Sequence, residues 1–338
     1  MRKVKVAVIG AGTAGLTAYR AALKHTDSVL LIDSGPLGTT CARVGCMPSK
    51  LLIAAAEAAW HMRHAPLFGV SAKQIEIDGQ QVMQRVRQLR DRFVRKVIEG
   101  MDSIPEENML HEAVRFKSDH LLETTSGEVI EAERVVIATG SRPAVPDLLK
   151  SAGNRLLLND DLFELEDLPQ SVAVFGPGVI GLELGQALHR LGVRVRMFGL
   201  GGAVGPIGDE QVRKAALECF SEEFPLDADA WVSEIQETDA GVHVTFTGPN
   251  GQSTTETFDY LLAATGRRPN VDQLGLENTN LECDTQGIPV FDPDTLQCSV
   301  SHIFIAGDAN NYLPLLHEAA DEGDIAGRNA ALLPDVKP

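Results

Sequence analysis

The chain has 338 residues, 44% hydrophobic and 23% charged, a globular composition whose length suits two domains better than one core. Thirty Lys and Arg stand against 47 Asp and Glu, and the resulting net charge of −17 disfavours nucleic acid as a partner while leaving room for local anion sites. No apolar run reaches the roughly 18 residues of a membrane span and no basic-then-apolar leader opens the chain, so the expectation is no membrane role and a cytoplasmic location.

Lys3 to Ile9 is apolar and β-branched and reads as a strand; it runs into Gly10-Ala11-Gly12-Thr13-Ala14-Gly15 and then a helical pattern, Leu16 to Leu23. A second strand, Ser28 to Ile32, ends at Asp33, close to the distance at which a dinucleotide fold places a ribose-binding acid. The construction returns at Val172 to Phe175, with Gly176-Pro177-Gly178-Val179-Ile180-Gly181, a helix to about Leu191 and a strand Val193 to Phe198. Two further runs, Val135 to Gly140 and Leu261 to Gly266, each read as a buried strand ending in Ala-Thr-Gly. The unit is therefore duplicated, and the first copy holds about 40 extra residues, including a cysteine pair and a long helix near Val82 to Ile98. A final strand, His302 to Ile305, leads through Ala306-Gly307-Asp308 into a helix from about Leu315 to Leu332. The Pro-bearing stretches Ser141 to Pro146 and Arg267 to Asn270 mark the junctions.

Of five cysteines, too few and too scattered for a secreted disulfide framework, only Cys41 and Cys46 lie close together. Five residues of ideal helix rise about 7.5 Å, beyond the roughly 6.8 Å that the Cα atoms of a disulfide span. Either these are unrelated core thiols or the backbone is deformed here, and Gly45 with Pro48 supplies the means. The start of the following helix, Leu51 to Trp60, also favours a thiolate. A dithiol beside a dinucleotide fold could exchange two electrons with a bound flavin and then a nicotinamide.

Two glycine motifs, C-x4-C followed by Pro48-Ser49-Lys50, Ala264-Thr265-Gly266-Arg267-Arg268-Pro269-Asn270 and Ala306-Gly307-Asp308 together resemble the pyridine nucleotide-disulfide oxidoreductases, over nearly the whole chain and most closely the branch acting on dihydrolipoamide. The resemblance implies an α/β fold of two Rossmann-like (doubly wound, three-layer) dinucleotide-binding domains, the second inserted into the first. Residues 1–146 would bind FAD and carry the redox segment, 147–268 would bind NAD(P), and 269–338 would complete the FAD domain. Cys41 would be the interchange thiol, Cys46 the thiol beside the flavin, and Lys50 the lysine near flavin N5, paired with Glu183. Gly10, Gly12, Gly15, Asp33, Thr40, Thr139, Gly140 and Asp308 would hold FAD, with Asp33 on the adenosine ribose and Asp308 on the ribityl chain. Gly176, Gly178, Gly181, Glu183 and Gly266 would hold the nicotinamide dinucleotide. The expected reaction moves two electrons between a small-molecule or lipoyl-domain dithiol, the cysteine pair, FAD and NAD(P). Glutathione-reductase-like or mercuric-reductase-like activity, or a flavin-binding fragment without efficient catalysis, are the alternatives.

The sequence departs from that pattern in several places. Gly181 tolerates Gly or Ala in the family and weakly favours NAD, yet the second strand closes on Met197-Phe198-Gly199-Leu200 with no acid, so NADP is not excluded. Arg194 and Arg196 alternate and are expected on one solvated face rather than as phosphate ligands. Gly38-Thr39-Thr40-Cys41 has Thr39 where relatives carry a second glycine. His61 and His64 are expected as surface or packing residues. His317-Glu318-Ala319-Ala320-Asp321 is no zinc helix, since Asp321 stands where a second His is needed, and no metal is expected. Relatives continue into an interface domain that forms a homodimer and supplies a His-Glu base; the chain ends before it, so a monomer with weak lipoamide turnover is expected.

Overall fold

In the computed structural model, which describes residues 1–71, 74–248 and 251–338, the chain divides into two compact units. The first comprises Met1–Cys41, Val94–Arg142 and Arg268–Pro338; the second comprises Ala42–Phe93 and Pro143–Arg267. The fold is α/β with Rossmann-like parallel sheets.

In the first unit the strand Arg2–Ile9 lies between two parallel partners, Val29–Ile32 and Val129–Ile137, and Val29–Ile32 in turn pairs in parallel with Met109–Leu110. Val129–Ile137 serves two partners at its two ends. Its last residues take Ile303–Ile305 in parallel, while its first residues take Leu121–Thr124 antiparallel, which folds back on Val114–Ser118. Both faces are covered at the carboxyl ends of the central strands, where Val6, Ala7, Val8 and Ile9 and Val135, Val136 and Ile137 are buried without a break, whereas their first halves alternate with charged residues such as Lys5, Glu131 and Glu133. The helix Thr13–Leu23 packs against the last helix, Leu316–Leu332, through Gly323 and Gly327. A Cβ at these glycines would stand 2.3 Å from the carbonyl oxygen of Ala14 and 2.1 Å from that of Ala18. Backbone meets backbone there, and this docks the final segment onto the helix that follows the first glycine turn.

The second unit has a five-stranded parallel sheet in the order Leu226–Asp227, Arg194–Phe198, Ser171–Phe175, Tyr260–Ala263, Leu156–Leu157. A three-stranded antiparallel sheet, Trp231–Thr238, Gly241–Thr247 and Ser253–Phe258, buries Val242, Val244 and Phe246 with Phe175, Phe198 and Leu261. The helix Cys46–His64 and the helix Gly79–Glu99 as far as Phe93 belong to this unit: Leu52, Ala56, Met83 and Val86 share one apolar cluster with Leu162, Leu182 and Leu188. Arg90, largely buried on the second of these helices, is ion-paired with Asp91 at 2.9 Å and with Glu164.

The cysteine helix begins five residues earlier than its apolar pattern suggests, at Cys46 rather than Leu51. Pro48 permits this because it falls in the first turn, where its missing N–H has no helical partner to lose. Arg194 and Arg196 do share a face, but it is not simply solvated. Arg196 is only 17% exposed and both guanidiniums bind Glu256, at 3.1 and 3.3 Å, because the antiparallel sheet covers that side. Among the described residues no helix is long and apolar enough to cross a membrane.

Candidate functional site

Each sheet presents a glycine turn at the carboxyl end of its central strand, where open α/β sheets receive ligands. Gly10 (φ +111°) and Gly176 (φ +101°) adopt a backbone that other residues rarely enter. A Cβ there would lie 2.2 Å from the oxygen of Ala138 and 2.3 Å from that of Ala264. Gly15 and Gly181 pack so tightly on their own turns that a Cβ would stand 1.7 and 1.9 Å from the carbonyl oxygens of Gly10 and Gly176. Alanine at 181, compatible with the sequence motif, therefore requires a backbone shift in this chain. Gly12 and Gly178 are different: a Cβ at either would meet nothing within 4 Å, so the backbone faces open space at the start of the helices Thr13–Leu23 and Val179–Arg190. Free amides at a helix start facing open space suit a pyrophosphate.

Around the first turn, both oxygens of Asp33 accept amide hydrogens, from Ala11 at 2.5 Å and Gly35 at 2.7 Å, which fixes the carboxylate at the end of its strand. Thr139 and Gly140 follow the strand Val129–Ile137. The Thr139 carbonyl accepts from Asn270 at 3.0 Å, but its Oγ1 is buried without a hydrogen-bond partner. Gly140 and Gly266, both at positive φ, have open space where a Cβ would be. Asp308 accepts from Ser141 Oγ at 2.7 Å. An orphaned hydroxyl, a fixed acid and an open glycine turn are what an extended dinucleotide requires, so the first unit fits FAD. Thr39 occupies left-handed backbone (φ 61°), a conformation that favours glycine.

The two cysteines flank a helix break. Thr40–Arg43 is one helical turn, Val44 and Gly45 leave helical geometry (Gly45 φ −116°, ψ −118°), and Cys46 opens the helix that runs to His64. Cys41 is half-buried and Cys46 exposed. One turn further on, Lys50 Nζ donates to Glu183 Oε1 at 2.6 Å, which ties this lysine to the helix after the second glycine turn. His64 packs against Trp60, their ring centroids 3.7 Å apart, and His317 lies 3.5 Å from Glu318. Among the described residues no group of three or more His, Cys, Asp or Glu is arranged to hold a metal.

Three site residues were not visible in the sequence motifs. Asn159, buried, donates from Nδ2 to the Val44 carbonyl at 2.9 Å and so ties down the loop between the cysteines. Its neighbour Asp160 has a raised pKa because it is buried, an effect opposed by the charges of Arg267 and Arg43. Glu322, 7% exposed in the last helix, accepts at Oε2 from Gly307 N–H at 2.6 Å and from Asn310 Nδ2 at 2.8 Å, and so holds the turn that carries Asp308. Burial raises its pKa, those two donors lower it, and the charges of Glu318 and Asp308 raise it further. Asp229 donates no motif of its own, yet its Oδ1 accepts from Gly201 N–H at 2.8 Å beside the second turn. Each lies far in sequence from what it holds, so spacing gives no signal.

Two Rossmann-like units with glycine turns, and a C-x4-C pair set across a helix break, define a flavin-linked dinucleotide oxidoreductase. The chain belongs to the family described as pyridine nucleotide-disulphide oxidoreductase, which matches residues 4–323 and whose members use FAD and NAD(H). It is 32% identical over 336 residues to the dihydrolipoyl dehydrogenase of Chlamydia trachomatis serovar D, covering 96% of this chain and 69% of that protein. It is likewise 32% identical to the dihydrolipoyl dehydrogenase of Bacillus subtilis strain 168, covering 96% and 71%. LpdA from Mycobacterium tuberculosis superposes with a TM-score of 0.81 at 27% identity, over 97% of this chain and 72% of that one. The flavoprotein disulfide reductase RclA from Escherichia coli, 22% identical, shares the fold with a TM-score of 0.80 over 99% and 72%.

Proposed function

We propose that this FAD-dependent disulfide oxidoreductase exchanges electrons between a lipoyl-type dithiol, free or carried on a protein, and NAD in the cytoplasm. The helix break between Cys41 and Cys46 carries the reading. An unbroken helix would turn the two thiols apart, whereas a break after Arg43 frees Cys41 to meet a substrate sulfur and puts Cys46 on the first turn of a nineteen-residue helix. Backbone amides at that turn favour a thiolate on Cys46.

The roles then follow from position. A substrate thiolate attacks Cys41 of the internal disulfide and releases the Cys46 thiolate, and the second substrate thiol then displaces Cys41, so that the substrate leaves as a disulfide and the cysteine pair as a dithiol; with a disulfide substrate the same steps run in reverse. The FAD, when bound, supplies a ring that takes two electrons from the dithiol and passes a hydride to nicotinamide. Gly10 and Gly15 shape the turn at which Gly12 would meet its pyrophosphate, Asp33 would hold its adenosine ribose, Asp308 its ribityl chain, and Thr40, Thr139 and Gly140 would line its path. Gly176, Gly178, Gly181 and Gly266 hold the nicotinamide dinucleotide. Lys50 is the lysine that serves the flavin, and Glu183 orients it through their 2.6 Å hydrogen bond.

Turnover of the FAD-loaded chain on lipoamide, glutathione disulfide and mercuric ion, each with NADH, tests this. Lipoamide is expected to be reduced fastest, and in Cys41→Ser not at all. Faster turnover of glutathione disulfide or mercuric ion would overturn the substrate assignment, and lipoamide reduction by Cys41→Ser would overturn the role of that thiol.

A further inference from the structure

The two glycine turns are built alike, and one difference between them has a chemical consequence. In the first unit Gly10 N–H donates to Ile32 O at 2.7 Å, and Asp33 N–H donates to Leu110 O at 2.9 Å. In the second, Gly176 N–H donates to Phe198 O at 2.8 Å, and Gly199 N–H donates to Asp227 O at 2.7 Å. Gly199 is thus the counterpart of Asp33, and Gly201 the counterpart of Gly35. The carboxylate of Asp33 accepts from Gly35 N–H at 2.7 Å. At the matching amide, Gly201 N–H, the acceptor is Asp229 Oδ1 at 2.8 Å, from the segment after the neighbouring strand Leu226–Asp227.

The packing explains the exchange. A Cβ on Gly199 would stand 2.5 Å from the oxygen of Ala228 and 2.7 Å from Pro177 Cγ, so no acid fits at the usual position. The same close approach, secured by Ala230 N–H to Gly199 O and Gly202 N–H to Ala228 O, both at 3.0 Å, brings the exposed Asp229 to the loop instead. The arginines of this strand are engaged elsewhere: Arg194 and Arg196 bind Glu256, and Arg196 also lies 3.8 Å from Asp227.

We infer that Asp229 replaces the missing strand-end acid and selects a nicotinamide dinucleotide with a free ribose diol, rejecting one with a 2′-phosphate by charge. A carboxylate at this point accepts from the ribose hydroxyls, as the acid of a dinucleotide fold does from its usual place. This rests on the proposed dinucleotide role of the second unit.

The test is equilibrium titration of the full chain with NADH and with NADPH, followed by reduced-nicotinamide fluorescence, in the natural protein and in Asp229→Asn and Asp229→Ala. The natural chain is expected to bind NADH at least about ten-fold more tightly, and loss of a charged acceptor should weaken NADH by about ten- to a hundred-fold in Asp229→Ala. In Asp229→Asn, which keeps an acceptor for Gly201 N–H, the NADH:NADPH preference should fall about ten-fold, whereas mere loosening of the loop would weaken both ligands alike. An unchanged preference in both variants overturns the inference and leaves the role of the unit standing. A natural chain that binds neither dinucleotide overturns that role, and the inference with it.

Discussion

Replacing Glu322 by alanine leaves Gly307 N–H and Asn310 Nδ2 without an acceptor in a site where the glutamate was 7% exposed. Each buried donor left unsatisfied costs about 1–3 kcal/mol, so the variant should lose roughly 2–6 kcal/mol. Glutamine is a sharper probe. Both donors use one oxygen, Oε2, so a glutamine oxygen placed there keeps both hydrogen bonds and removes the charge. Burial raises the Glu322 pKa above its unfolded value, so the folded state favours the protonated form. Its favourable contribution is complete below the unfolded pKa and is lost as pH rises through the folded pKa. At neutral pH the glutamine variant should therefore match or exceed the natural protein, and its stability should fall less between acid and neutral pH. Calorimetric melting resolves this, with the alanine variant expected on the order of 10 °C lower, at roughly 2–4 °C per kcal/mol for a unit of this size. Alanine within about 2 °C of the natural protein, or glutamine as damaged as alanine, would refute the reasoning.

Thr39→Gly should stabilise the chain by about 0.5–1 kcal/mol, because it relieves left-handed strain of about 1–2 kcal/mol at φ 61° and gives part of it back in chain entropy; melting temperature checks it. Gly181→Ala, with its Cβ 1.9 Å from the Gly176 oxygen, should cost about 1–3 kcal/mol and weaken NADH binding measured by fluorescence titration. The Cys298 thiol, 5% exposed and pushed up to about 12 by burial, should resist iodoacetamide at pH 8, while exposed Cys219 is alkylated; peptide mass spectrometry distinguishes them.

The parallel strands and both glycine turns were legible in the sequence because their signals are local: apolar runs, glycines at fixed spacing, and helices that follow at once. The final helix was legible too, although its Gly323 and Gly327 gave no hint of the Ala14 and Ala18 backbone they contact. The packing partner of the helix Cys46–His64 was not legible, because a hydrophobic face records that it is buried but not against what. The same limit applies to Arg196, whose alternation in a strand is correct while its burial depends on Glu256, sixty residues away. Asn159, Glu322 and Asp229 escaped for one shared reason: each acts on a backbone group placed beside it by the fold alone. The cysteine pair lies between these cases, since Gly45 and Pro48 indicated that regular helix was in doubt, and the structure locates the break at Val44 and Gly45.

The most direct measurement of the redox assignment is a reductive titration of the FAD-loaded chain, followed at the long-wavelength edge of the flavin spectrum. The natural protein should take up one two-electron equivalent beyond the flavin's own, with a thiolate-to-flavin absorption band after the first. Cys46→Ser should lack both the band and the extra equivalent. A band that persists in Cys46→Ser, or a natural chain that takes up no more electrons than its flavin, would contradict the account.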